Sequence, residues 1–564
     1  MSQKEKVSAW GRGFARVPNV VFLVIELLVL LAVLFAAWLE RRAMPLVPIA
    51  DPDTWSYLNP ALSWLSGLGL QQTDGRDWLY PALLALFLKT TGSFAGIVLW
   101  QRFLGISSGV LMAVTWRCWI STLPFQRWAR FPVSLVGALP ILVQLLNPHG
   151  IFFEMSTRPE AVLSFFVYAQ LACLMGYYKY RWQAPNALRS IVLGAAAILL
   201  SYACFLLKPS WLLAFVITAV PVFVGAFGSV PSLKTRLLTP ALGIVLSLLI
   251  LWFPSAAFLI KDRASVTMLP DALFAVHARL IDKMLDARLA ALSDSDPEKA
   301  KLQALVTVLK SELQIAETTR PDEKFGMGMP YAKLGFNPDH LMHSETLTAA
   351  IYRYTGNDDK KFRAFCISCY RDAALHEPLD FARKILTQFN QFLFPGYDTF
   401  YKNFRDFSKC YRDSAGLWGP SAGDGFSANV REMFHQYRAD IAVQAGSGLR
   451  LNGKSMAQKF CQTFTWLALP LEIVFLLTFV GSLVWPRLRD LRAGGWAAFS
   501  LFSAPLGNAV TVCVLHALDI DRYRRTYGGP LFFALTAMTV FASMVIARSF
   551  FDTVGVSARG TERS

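Results

Sequence analysis

An all-α polytopic membrane protein is the fold class this sequence predicts, and three observations predict it. Of the 564 residues, 54% are hydrophobic, and the mean hydropathy is +0.39. Apolar runs near twenty residues recur along the chain, the length a helix needs to cross about 30 Å of hydrocarbon. The short alternating segments that a membrane β-barrel requires are not found in the sequence.

The net charge of +16 could suggest a nucleic-acid partner, but its placement argues against one. Between Lys261 and Lys459 there are 27 basic and 24 acidic residues, a balance of only +3. The excess therefore belongs to the apolar part and its short loops, where Lys and Arg mark the cytoplasmic side.

The crossings are expected at 20–39, 98–118, 131–148, 159–179, 190–207, 210–228, 237–258, 462–485, 493–515 and 529–549, ten in all. Lys4, Lys6, Arg12 and Arg16 precede the first run, which puts the N-terminus inside and reads as a signal anchor. Alternation then places Arg127/Arg130, Lys179/Arg181/Arg189, Lys234/Arg236 and Arg487/Arg489/Arg492 in the cytoplasm. Arg41 and Arg42 fall outside and violate the rule.

The first outside segment, 40–97, is long. In "DTWSYLNPALSWLSGL" the residues Trp55, Leu58, Leu62 and Leu65 share one helical stripe, which predicts a short interfacial helix with Trp55 as membrane anchor. The apolar stretch 78–92 is short for a crossing and reads as a second interfacial helix. After seven crossings comes an outside loop of roughly 200 residues. The stretches 271–292, 297–313, 359–375, 378–394 and 428–443 carry apolar residues at helical spacing and predict a mostly helical cap. The expected organisation is a transmembrane module over 1–260, a cap over 261–460 and three further crossings over 461–564.

Four cysteines, Cys366, Cys369, Cys410 and Cys461, lie in or beside the outside loop. They are disulfide candidates, for example Cys369 with Cys410. The CxxC formed by Cys366 and Cys369 has no matching second pair, so it is a weak zinc signal.

Ionisable residues collect on the outside rim: Asp51 and Asp53; Asp74, Arg76 and Asp77; Glu154, Arg158 and Glu160; Lys208; and Asp519, Asp521, Arg522 and Tyr523. Each has an ordinary explanation. Asp53 could simply cap a helix, residues 154–160 could be a solvated turn ahead of Pro159, and Lys208 and Arg522 could be rim residues. Five segments converging at one depth are harder to explain that way, because such groups are costly at span edges unless used or exposed. A carboxylate there can serve as general base for a hydroxyl. Fixed cations can hold the phosphate of a lipid-linked donor and stabilise the charge that builds on it. No GxxxxGK[ST] and no strand-linked GxGxxG is present, so outside chemistry calls for a pre-activated lipid donor.

"ADPDTWSYL", "GRDWLYPALLALFLKTTG", "QRFLG", "EMSTRPEAVLSFF", "LLKPSW" and "DRYRRTYGGPLFF" together resemble the motifs of the GT-C superfamily of integral-membrane glycosyltransferases, close to the protein mannosyltransferase and aminoarabinose transferase type (family 39-like). The resemblance covers 15–260 and, loosely, 515–549. It implies a GT-C-like seven-span module with a catalytic first-loop aspartate, a polyprenyl-phosphate-sugar donor and a hexosyl- or pentosyltransferase of the bacterial inner membrane that faces the periplasm and serves a cell-envelope glycan. The mannosyltransferases carry adjacent Asp-Glu where this chain has Asp-Pro-Asp, which leaves the base between Asp51 and Asp53; the Thr54…Tyr57 context favours Asp53. In this reading Lys208, Arg158 and Arg522 hold the donor phosphate. Tyr57, Arg76, Tyr80, Glu154, Glu160 and Tyr523 line the substrate pocket. The acceptor, met by the cap, is a glycan, a lipid-linked saccharide or a protein. No cofactor is required. Some GT-C enzymes use a divalent metal and others do not, and Asp51, Asp53 and Glu154 could supply oxygen ligands. Two other readings remain at this stage: a polysaccharide polymerase or ligase using lipid diphosphate donors, and a lipid or solute transporter.

Overall fold

The computed structural model describes residues 19–70, 76–125, 127–225, 232–256, 269–319, 335–393, 407–419, 421–448, 467–515 and 520–560. Helices carry almost all of it. In chain order they are α1 (Asn19–Arg42), α2 (Thr54–Leu65), α3 (Leu79–Thr91), α4 (Ala95–Ser121), α5 (Arg127–Val136), α6 (Ala138–Leu145), α7 (Pro148–Met155), α8 (Glu160–Tyr178), α9 (Ala187–Leu207), α10 (Leu212–Val224) and α11 (Leu233–Leu246). Then come α12 (Leu269–Val276), α13 (Ala278–Ala291), α14 (Pro297–Thr318), α15 (Pro338–Met342), α16 (Glu345–Tyr354), α17 (Asp359–His376), α18 (Pro378–Leu393), α19 (Phe407–Ala415) and α20 (Ala428–Ala445). The last three are α21 (Ala468–Val484), α22 (Arg492–Leu515) and α23 (Ile520–Gly560). Among the described residues the one β-type pairing is an isolated parallel bridge between Ile49 and Ser156.

Among the described residues seven helical segments are long and apolar enough to cross a membrane: Val20–Arg42, Ala95–Ser121, Glu160–Gln183, Ala187–Leu207, Leu233–Ala256, Pro486–Leu515 and Thr526–Phe550. An eighth, Ala129–Leu145 followed by Pro148–Met155, is bent by 50°. Its break falls where Asn147 leaves the helical conformation and Pro148 opens the next helix, with the Asn147 side chain accepting the His149 N–H. The stretches expected to cross at 210–228 and 462–485 form the shorter apolar helices Pro209–Val224 and Ala468–Val484. Lipid-facing leucines and valines line α1, including Leu28, Leu31 and Leu27, all at least half exposed.

Helix α3 has 13 residues, about 20 Å at 1.5 Å per residue, which is too short to cross. It ends at Gly92, whose φ of 66° is the left-handed conformation open to glycine without a Cβ penalty, and the Gly92 N–H closes on the Leu88 carbonyl. The chain then turns directly into α4.

The cap stretches with apolar periodicity form α12, α13, α14, α17, α18 and α20, and α15, α16 and α19 appear beside them, but the cap divides its packing. Helices α12 to α17 bury a core of their own built from Leu285, Leu302, Leu309, Phe362 and their neighbours. Helices α19 and α20 instead join the membrane-domain core through Phe407, Tyr411, Phe434 and Tyr437. They rest on the first outside loop.

That contact corrects the expected role of Trp55. Leu58 and Leu62 are fully buried, and Trp55 packs against Trp418, Phe426 and Phe434 at ring distances of 6.4, 6.2 and 5.8 Å. The apolar stripe of α2 faces protein rather than lipid, because the cap supplies an aromatic surface that a single segment cannot reveal. The expected pairing of Cys369 with Cys410 is also corrected. Cys366 and Cys369 are free thiols in the cap core, while Cys410 packs against the membrane-domain core. Cys461 lies outside the described residues.

Candidate active site

The Asp-Pro-Asp stretch forms a tight turn. The Thr54 N–H donates to the Asp51 carbonyl at 2.9 Å, as Pro at the second turn position favours. The Asp51 carboxylate accepts the Asp53 N–H at 2.9 Å, and the Asp51 N–H donates to Thr54 Oγ1 at 2.9 Å. Asp53 occupies the N-cap position of α2, yet its side chain makes no capping hydrogen bond. The capping explanation for Asp53 therefore does not apply, and its carboxylate turns to two guanidinium groups. Arg76 Nη2 lies 2.9 Å from Asp53 Oδ1, and Arg158 Nη1 lies 3.4 Å from Asp53 Oδ2. Arg158 Nε also donates to Asp51 Oδ2. Asp51 is the more enclosed of the two, with its side chain 14% exposed against 31% for Asp53.

The isolated bridge explains why residues so far apart meet. Ile49 N–H donates to the Met155 carbonyl at 2.6 Å, and Thr157 N–H donates to the Ile49 carbonyl at 3.1 Å. Asp51 is two residues beyond one side of the bridge and Arg158 two residues beyond the other. The cap braces the same loop from above. Tyr411 and Tyr437 hydroxyls donate to the Val47 and Pro48 carbonyls at 2.6 and 2.9 Å, and Ser414 Oγ donates to the Ala50 carbonyl at 2.7 Å. Tyr437 also stacks flat on Phe94 at 4.0 Å.

An aromatic wall runs beside the carboxylates. The Arg76 guanidinium lies 4.8 Å over the Tyr57 ring, and Tyr57 meets Tyr80 edge to face at 5.2 Å. Arg76 Nε also donates to Ser56 Oγ at 3.0 Å. The Tyr80 hydroxyl donates to Gln101 Oε1 at 2.9 Å, and Gln101 Nε2 donates to the carbonyls of Glu154 and Ser156. Burial drives the Tyr80 phenol far above its ordinary range; the fields of Tyr57, Glu160 and Asp51 push the same way and Arg158 opposes them. Tyr80 thus senses both carboxylate groups of the rim.

The second group is Lys208 with Glu160. Lys208 Nζ donates to Glu160 Oε1, and both residues are under 5% exposed. The ammonium sits 4.5 Å over the Tyr523 ring, a cation–π contact that orients it.

Two of the rim residues, one of them expected in the pocket, are used elsewhere. Glu154 is 4% exposed and takes a forked contact from Arg41, Nε to Oε2 at 2.6 Å and Nη2 to Oε1 at 2.7 Å. Arg41 adds hydrogen bonds to the carbonyls of Ala37 and Leu145, each at 2.9 Å. Arg41, expected outside against the charge rule, is thus committed to a buried partner. Gly105 makes room, since a Cβ there would fall 2.1 Å from Glu154 Oε1. The metal set of Asp51, Asp53 and Glu154 is accordingly not assembled. Among the described residues no three His, Cys, Asp or Glu gather where they could hold a metal ion. Asp77 also turns away. Its carboxylate accepts from Ser255 Oγ at 2.9 Å and from the Trp78 N–H at 2.7 Å, and burial raises its pKa against those two bonds. Asp74 and Asp519 lie outside the described residues, as do the side chains of Asp521 and Arg522.

Sequence reasoning did not pick out Arg41, Gln101, Tyr411, Ser414, Tyr437 and Trp418 as site residues. Gln101 sits in "QRFLG" and carried a signal. The cap residues carried none, since each acts on a backbone carbonyl or ring more than 300 positions away in the chain.

The sequence matches no family model and no curated protein. Among solved structures it is similar to ArnT from Cupriavidus metallidurans bound to undecaprenyl phosphate, with a TM-score of 0.29 and 13% identity over 88% of this chain and 76% of that one. It is also similar to the same protein in the apo state, with a TM-score of 0.30 and 12% identity over 90% and 78%. At this level of likeness the functional reading rests on the residues of the chain itself.

Proposed function

We propose that this protein is a membrane glycosyltransferase that moves a sugar from a polyprenyl-phosphate-linked donor to an extracytoplasmic acceptor, with inversion at the anomeric carbon. The observation that carries the reading is the Asp53 carboxylate, partly exposed at the head of α2, not used as a cap and bracketed by Arg76 and Arg158. Asp53 takes the acceptor hydroxyl proton as the oxygen attacks the anomeric carbon. The bond from that carbon to the phosphate oxygen breaks, and polyprenyl phosphate departs with the electron pair.

Arg158 is paired with Asp51 and Lys208 with Glu160. A donor phosphate would draw Arg158 and Lys208 from these carboxylates. That exchange loosens the hold of Arg158 on Asp53 as the donor arrives. Charge-assisted contacts of this kind stabilise the leaving phosphate as its charge grows. Tyr57 and Tyr80 offer ring faces to a sugar. The site then faces the periplasm from a bacterial inner membrane, and the acceptor is a glycan, a lipid or a protein.

The test is transfer by the purified protein given a panel of polyprenyl-phosphate sugars. Asp53→Asn should lower the transfer rate about 10²–10⁴-fold, the usual share of a general base, while leaving the apparent Tm close to wild type. Lys208→Ala should lower kcat as well as raise the KM for the donor, because its contact strengthens as charge builds on the phosphate. An Asp53→Asn protein that keeps half the wild-type rate would overturn the reading.

A further inference from the structure

Four helices, α8 to α11, come together at the end of the bundle opposite the Asp53 rim. Helix α8 starts at Glu160 in the rim and has 19 residues, and the π-helical turn Lys179–Gln183 extends it. Arg181 in that turn therefore lies about 30 Å from Glu160, at 1.5 Å per residue, which is the thickness of the hydrocarbon core. One glycine fixes the register of three of these helices. A Cβ on Gly194 of α9 would fall 3.0 Å from the Tyr177 ring of α8 and 2.4 Å from Thr239 Cγ2 of α11. About one turn closer to the end of the bundle stand Arg181, beyond α8, and Arg236 on α11. Gly225, just past α10, completes the group. A Cβ there would fall 2.1 Å from the Tyr177 hydroxyl, and its carbonyl accepts from Arg181 Nη2 at 2.7 Å.

Arg181 is 5% exposed, and its Nε is buried without a hydrogen-bond partner. A buried donor on a charged group ordinarily finds an acceptor. The ionisable neighbours that bear on Arg181 are Tyr177 and Arg236, so a second cation stands where an ion pair would put a carboxylate. The local sequence supplies no acid, since no Asp or Glu occurs between Glu160 and Asp262. Lys179 and Arg189 add positive charge, lying over the Tyr180 ring at 5.3 and 5.0 Å. The π-helical turn that carries Arg181 is itself a geometry that recurs at functional sites. The surroundings are those of a lipid surface. Trp182 is 46% exposed, and Leu188, Leu233 and Leu237 on the first turns of α9 and α11 are 71%, 58% and 53% exposed. An exposed Trp at the end of a span marks the headgroup level.

We propose that Arg181 and Arg236 form a binding site for the headgroup phosphate of an anionic phospholipid, in the leaflet opposite the Asp53 rim. Two guanidiniums brought together suit the oxygens of one phosphate, which relieves their mutual repulsion and takes up the unused Arg181 donor. The lipid is the source of the phosphate because exposed leucines and Trp182 border the cations, and basic pockets between spans take anionic headgroups in this way.

The test is native mass spectrometry of the full-length protein, delipidated in detergent and titrated separately with phosphatidylglycerol, phosphatidylcholine and inorganic phosphate. The wild type should hold one phosphatidylglycerol several-fold more tightly than phosphatidylcholine. Arg236→Gln should weaken that binding about fivefold, the share of one basic residue near an anionic surface, and Arg181→Gln by at least as much. Arg489→Gln, at an exposed arginine of the turn before α22, should leave it unchanged. Circular dichroism checks that each variant keeps its helices. Equal binding of the two lipids by the wild type would overturn the proposal whatever the variants do. Undiminished phosphatidylglycerol binding by a folded Arg236→Gln protein would overturn it too, as would an equal loss in Arg489→Gln, which would assign the binding to general surface charge. Inorganic phosphate bound as tightly as phosphatidylglycerol would overturn the lipid assignment in favour of a soluble phosphate.

Discussion

At the scale of single residues, the chemistry of the rim was largely legible and its pairing was not. Asp-Pro-Asp announces a turn, and the context Thr54…Tyr57 singled out Asp53. The structure adds that Asp51 is tied into the turn and to Arg158, while Asp53 is the more accessible carboxylate. Glu154 was placed in the pocket because its partner lies 113 positions away, beyond any local pattern. That buried pair supports a prediction. Arg41→Ala leaves the Glu154 charge without its forked partner and should lower unfolding stability by about 3–5 kcal/mol. Arg41→Met combined with Glu154→Leu should recover most of that loss, since replacing a whole buried pair with apolar residues is often neutral or stabilising. Chemical denaturation of the purified proteins measures both, and additive losses would show that the pair is not coupled.

At the scale of elements, apolar periodicity located the long helices well. It missed α15, α16 and α19, which are short and offer too few turns for a pattern to rise above chance. It also misread the partner of α2, because a stripe of Trp and Leu looks the same whether lipid or an aromatic cap covers it. The single bridge at Ile49 could not be read at all, since it spans two residues and no strand. Its importance can be measured. Ile49→Pro removes the N–H that donates to the Met155 carbonyl and should let Asp51 and Asp53 drift from Arg158. Transfer should then fall about 10²-fold, the usual effect of a misplacement near 1 Å, with the helical circular dichroism unchanged. A wild-type rate would show that the bridge does not position the carboxylates.

At the scale of the whole molecule, the membrane class followed from composition, and among the described residues seven of the ten expected crossings, with an eighth as a bent pair, lie where hydropathy put them. The 50° bend between α6 and α7 falls at Asn147–Pro148, which hydropathy does not register. The junction of cap and membrane carries a pH signature. Burial lowers the Lys384 pKa to about 7, against about 10.4 for a free lysine. Between those values the unfolded chain binds a proton that the folded one lacks. Stability should therefore rise with pH from about 7 to about 10. Lys384→Met should flatten that part of the profile of apparent Tm against pH; an unchanged slope would assign it to other groups.

The central claim is that the Asp53 cluster transfers a sugar from a lipid monophosphate, and the lipid released during turnover tests it most directly. With a polyprenyl-phosphate sugar and an acceptor extract, the wild-type protein should release one polyprenyl monophosphate for each sugar transferred, as read by mass spectrometry. Asp53→Asn should release almost none. Turnover only with a lipid diphosphate donor, with polyprenyl diphosphate as the product, would contradict the account.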